Sequence, residues 1–153
     1  MASTVSVTDL FDRALIQIWD HDPGTAAATI VTPNGGTTKR MVAMTNYEGF
    51  AAIAMASTLT GAGITKMELV CSEDSAGATN LTVIKDSGTV AADAVGDYVV
   101  LETNADEIQS QLATAMFVGV RLTLANAADE AVVTYIRHRP TFAARALTAS
   151  VIA

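Results

Sequence analysis

From Met116 to Leu124 the chain alternates, with Met116, Val118, Val120, Leu122 and Leu124 set against Phe117, Gly119, Arg121 and Thr123. Successive side chains of a strand point to opposite faces, so a period of two is the signature of a half-buried strand and cannot serve a helix. The flanking residues must fit around that strand. Before it, Val99 and Leu101 alternate with Val100 and Glu102, and Asn104 followed three residues later by Glu107 predicts a capping box at the start of a short helix, whose Ile108 and Leu112 share one face. After it, Ala125 to Glu130 has the small, polar character of a hairpin connection, and Val132 to His138 returns as a β-branched and aromatic run. Tyr98 to Arg139 is therefore expected to form strand, short helix, strand, tight connection and strand.

The rest of the chain repeats this style in shorter pieces. Lys39 to Thr45 alternates, as does Ile64 to Cys71, where Lys66 and Glu68 oppose Met67, Leu69 and Cys71. Tyr47 to Ser57 is almost wholly small or apolar. Its alanines suit a buried helix as well as a strand, and a strand is expected, with Gly61 and Gly63 turning the chain into the next one. Leu81 to Lys85 predicts another strand, and Asp86, Ser87 and Gly88 a hairpin turn after it. Near the start, Leu10, Phe11, Ala14, Leu15 and Ile18 make a helical face behind Thr8, while Leu15 to Trp19 also suits an extended run; a short helix passing into a strand satisfies both. Turn-forming clusters follow at Asp20 to Gly24 and Pro33 to Gly36.

About eight short strands separated by turns point to a mainly β protein, an antiparallel β-sandwich, jelly-roll-like, with one or two short helices. A length of 153 residues suits one domain. Residues 1–8, small and polar, are expected to form a mobile arm, and residues 9–153 a single sandwich domain.

Composition narrows the function classes. Half of the residues are hydrophobic and only 16% charged, so part of the surface is expected to be covered in an oligomer or larger assembly. A net charge of −7 repels phosphate backbones and anionic lipid heads, which disfavours nucleic-acid and membrane partners. Arg137, His138, Arg139 and Arg145 are the one basic concentration, best explained as a solvated strand end. No charged start precedes an apolar run, so no secretory signal is expected. The uncharged stretch Gly49 to Thr65 is too rich in Ser, Thr and Gly to span hydrocarbon.

Catalytic and binding motifs are scarce. Two histidines supply few bases for an activated serine or cysteine, and the lone Cys71 fits a small apolar core residue. Asp20, His21 and Asp22 tempt a metal assignment, but adjacent loop residues rarely converge on one ion. The glycines of Gly61-Ala62-Gly63 and Asn34-Gly35-Gly36 are turn glycines, not phosphate loops. Carboxylate pairs such as Glu73 with Asp74 and Asp129 with Glu130 are expected to be solvated loop charges. No enzyme activity, metal or cofactor is expected. The residues best suited to contact a partner are Leu10, Phe11, Leu15 and Trp19, which follow the polar arm; Trp19, the only tryptophan, is expected first to pack inside, with interface contact as the alternative.

Gly96 to Glu102, Asn104 to Ile108, Phe117 to Leu122 and Ala131 to Arg137 together resemble the small structural proteins of tailed-bacteriophage heads, the capsid cement or decoration proteins. The resemblance implies a self-associating β-sandwich, made in the host cytoplasm and carried on the virion, that stabilises the head by binding the major capsid protein and its own copies. A tail or surface module binding a receptor or glycan, and a small β-sandwich enzyme, are the alternatives.

Overall fold

Val118, Val120, Leu122 and Leu124 are all buried, and they line one side of a central strand as their spacing requires. The computed structural model describes residues 14–33 and 37–141. These form β1 (Ala14–His21), β2 (Thr29–Ile30), β3 (Met41–Ala43), β4 (Tyr47–Thr58), β5 (Ile64–Ser72), β6 (Thr82–Asp86), β7 (Tyr98–Asn104), α1 (Ala105–Gln111), β8 (Phe117–Leu124) and β9 (Glu130–Pro140).

The strands form two antiparallel sheets. One has the order β1-β9-β4-β7; in the other, β2 and β3 lie in turn along β8, which pairs with β5 and then β6. The pairing is nested: β1 with β9, β2 and β3 with β8, β4 with β7, β5 with β6. That is the connectivity of a long hairpin rolled into a sandwich, the jelly roll. Each sheet turns one face inward, where Phe50, Ala52, Ala54, Val133 and Tyr135 meet Met67, Leu69, Val118, Val120 and Leu122. The alanines of β4 are all strand. Burial of alternate small side chains against bulky ones opposite wins over their helix propensity.

The capping box is present: Glu107 N–H donates to Asn104 Oδ1 at 2.9 Å, and the Glu107 carboxylate accepts from Asn104 N–H. Ile108 is buried, and the helix stops at Leu112, whose backbone is extended. Ala14 onward is strand, so the extended alternative holds for Leu15 to Trp19; Thr8 to Phe11 lie outside the described residues.

Two expectations need correction. Met116 is exposed and precedes β8, because its N–H is taken by the Ser72 carbonyl in the turn that delivers the strand. The turn at Asp86 to Gly88 is a bulge, not a hairpin. Ser87, Val90 and Ala92 continue to bond β5 at Met67, Thr65 and Ile64, and Gly88, with φ of 68°, absorbs the extra residue.

Candidate interaction face

In an antiparallel ladder, directly opposed residues share a face. Ala131, Val133 and Tyr135 of β9 point into the core, so their β1 partners His21, Trp19 and Gln17 point inward too. The remaining residues point outward. They form three rows across the sheet: Asp20, Val132, Met55 and Tyr98; Ile18, Thr134, Ile53 and Val100; Ile16, Ile136, Ala51 and Glu102. Only Asp20 and Glu102, at opposite edges, are carboxylates. Ile18 is 61% exposed, Tyr98 67% and Val100 49%, while Ile53 and Ile136 in the centre are half-buried by their neighbours. Beyond the third row, the His138 ring lies over Gly49, where an added Cβ would stand 2.1 Å from the imidazole.

The outer face of the other sheet is dressed differently. Glu68 accepts from Arg121 Nε at 2.6 Å and pairs with Lys66 at 3.0 Å, and Lys66 also reaches Asp86. The Arg121 guanidinium is the main influence holding the Glu68 carboxyl below its ordinary value. Beside these ions, Ile30, Met41 and Val70 form a small apolar cluster with Leu81, Val83 and Phe117 against it. The loop between β5 and β6 lies on that cluster. Its Gly77, at φ of 63°, comes so close that a Cβ would meet Ile30 at 2.5 Å and the Met41 sulfur at 2.7 Å. Asp74 braces the loop by accepting from the N–H groups of Ala76, Ala78 and Thr79; hydrogen bonding by the Thr79 side chain first, then by these backbone groups, pulls its pKa down to about 2. One sheet is thus covered by ions and its own loop, whereas the outward rows of β1, β9, β4 and β7 carry an apolar surface with little charge.

Of the residues expected to contact a partner, Leu10 and Phe11 lie outside the described residues. Leu15 and Trp19 are on the inward side of β1. Trp19 packs on the core with the Arg40 guanidinium 4.7 Å from its ring centroid, a cation–π contact that joins the two sheets. The outward apolar residues of β1 are their neighbours Ile16, which is half-buried, and Ile18, which is exposed. The arm of residues 1–8 is likewise outside the described residues.

The other sequence candidates separate. His21 is fully buried, its Nδ1 accepting the Thr32 N–H at 3.1 Å, while Asp20 faces outward; they do not converge. Among the described residues no three of His, Cys, Asp and Glu come together as a metal site. Cys71 is core. The basic strand end splits: Arg137 turns inward to the Ala43 carbonyl and over the Tyr47 ring, and His138 turns outward. A hollow of about 210 Å³ beside His138 and Arg139 also holds Lys85, Glu102 and Glu107, but Lys85 donates to the Glu102 carbonyl and pairs with Glu107.

Asp129 is the chief surprise. It was expected to be a solvated loop charge, yet it is fully buried, and its carboxylate accepts from the backbone N–H groups of Thr60, Gly61, Gly63 and Asn126. The carboxylate ties the β4–β5 turn to the β8–β9 turn. Its role is to satisfy two loops, with no reacting group beside it.

No family model and no curated protein matches this chain.

Proposed function

We propose that this protein is a noncatalytic structural component of a virus particle, a cement or decoration protein that stabilises a tailed-phage head by binding major capsid subunits. The observation that carries the assembly reading is the apolar outward surface of β1, β9, β4 and β7, beside a second sheet whose outer face is already covered. The jelly-roll order supports it as a frame also used in capsid domains, although a fold by itself specifies no function. The assignment to phage heads comes from the sequence resemblance of the strand, capped turn and strands between Gly96 and Arg137. Stabilisation then works by mass action: a protein that binds the assembled shell and not its free subunits shifts the equilibrium away from disassembly.

Sedimentation of the purified protein with phage-head shells tests this reading. Saturable binding at a fixed ratio to capsid subunits, with a higher denaturant midpoint for shell disassembly, is the expected result. Failure to bind shells, combined with retention on a glycan array or cell surface, would replace it with the surface-module reading.

A further inference from the structure

We infer that the outward face of β1, β9, β4 and β7 is covered by the same face of a second copy, the two related by a twofold axis parallel to the strands. The inference rests on the reading that the protein works by assembly and names the first contact of that assembly.

Size is compatible with a second copy. Four strands at about 4.8 Å spacing and about seven residues at 3.4 Å give a face roughly 19 Å by 23 Å. Two such faces hide about 900 Å² before side-chain relief is added, close to the ~1,000 Å² where specific interfaces begin. Sheets stack face to face at about 10 Å with their strands nearly aligned, so two twisted sheets of the same hand can lie on each other without rearrangement.

The pattern within the face is self-complementary. The stated axis lays β1 of one copy over β7 of the other and β9 over β4. Ile18 then meets Val100 of the second copy, Thr134 meets Ile53, Ile136 meets the small Ala51, and Val132 meets Met55, while Ile16 meets the stem of Glu102, an edge-strand residue whose carboxylate can reach water, in each case within one row of the ladder. Asp20 meets Tyr98, whose hydroxyl can donate to the carboxylate. Asp20 and Glu102 lie in different rows, so no two carboxylates are opposed. Each apolar contact occurs twice, as a closed twofold interface requires.

Sedimentation velocity over a concentration series, with crosslinking, tests the inference. Wild type should approach twice the chain mass at high micromolar concentration. Ile18→Glu should remain monomeric with an unchanged melting temperature, since Ile18 is exposed, while Val95→Glu, exposed but outside the four strands, should associate as wild type does. A short bis-maleimide should join Ile18→Cys to Val100→Cys in a mixture and give no dimer with either variant alone, the roughly 10 Å between stacked sheets being too wide for a direct disulfide; the native Cys71 is buried and does not compete. A wild type that is monomeric throughout, an Ile18→Glu that associates normally, or linking of each variant with itself would overturn the inference. A monomer that still binds shells sinks only this inference, and a dimer that ignores shells sinks only the proposed function.

Discussion

The Tyr135 hydroxyl accepts the backbone N–H of Val120 at 2.9 Å, although the two residues belong to different sheets. Val120 faces the gap between β2 and β3, where its carbonyl takes the Val31 N–H but its own N–H has no strand partner on that side. The phenol fills that place and in turn donates to the Arg40 carbonyl at 3.0 Å. Tyr135→Phe keeps the edge-on contact with Phe50 and removes only the hydroxyl. It should cost about 1–3 kcal/mol, the range for leaving buried backbone groups unpaired, read as a lower urea midpoint with unchanged m-value.

Adjacent residues on β8 should differ sharply. Val120 is fully buried in the core, and Val120→Asp places a charge there without a partner, so loss of folding or a drop above about 4 kcal/mol is expected. Arg121→Ala removes one partner of the buried Glu68 but leaves Lys66 beside it, and Arg121 itself is part-exposed. A loss of about 1–2 kcal/mol is expected, small enough to keep a cooperative melt. Equal losses in the two variants would mean that the strand faces are misassigned.

His21 should make stability fall as pH drops. Burial, opposed weakly by Asp22, lowers its pKa from 6.5 to about 4, so between those values the unfolded chain binds a proton that the folded one does not. Stability is full above pH 6.5 and decreases until the folded pKa is passed, by at most about 3 kcal/mol. His21→Phe should flatten the dependence of the denaturant midpoint over that interval, and an unchanged slope would assign it to other groups.

Asp129 acts in a lower window. Burial works to raise its pKa, but the N–H groups of Thr60, Gly61 and Gly63 and the Thr60 hydroxyl outweigh it, leaving the carboxyl below its ordinary 3.8. Its contribution is therefore present above about pH 3.8 and lost as pH falls through the folded value. Asp129→Ala should cost about 1–3 kcal/mol at neutral pH, since four backbone donors, that of Gly63 buried, lose a charged acceptor. The gap between wild type and variant should close in acid.

The sequence displayed β8 because its two sides differ in polarity: Val120 and Leu122 on one, Arg121 and Thr123 on the other. The capped helix was legible because both halves of the box are local. The sidedness of β4 was harder to see, and for a physical reason. Its inward Phe50, Ala52 and Ala54 alternate with outward Ala51, Ile53 and Met55, which are also apolar. A strand without polar alternation has both faces away from charge, and that absence was the available signal for the interaction face. Asp129 gave no such signal, since most of its partners lie more than sixty residues away and donate mainly through the backbone. Leu15 and Trp19 were singled out by bulk, but the ladder register decides which side of β1 each occupies.

The nested pairing also sets an order of events during synthesis. In the described structure β1 pairs with β9 alone, and β9 lies between β1 and β4. Until the ribosome has released Glu130–Pro140, β1 has no neighbour and one side of β4 stands open. The nascent chain therefore carries a vacant slot shaped for its own β9. In a crowded polysome the β9 of an adjacent chain fits that slot equally well, so strand exchange between copies is the misfolding route this topology favours.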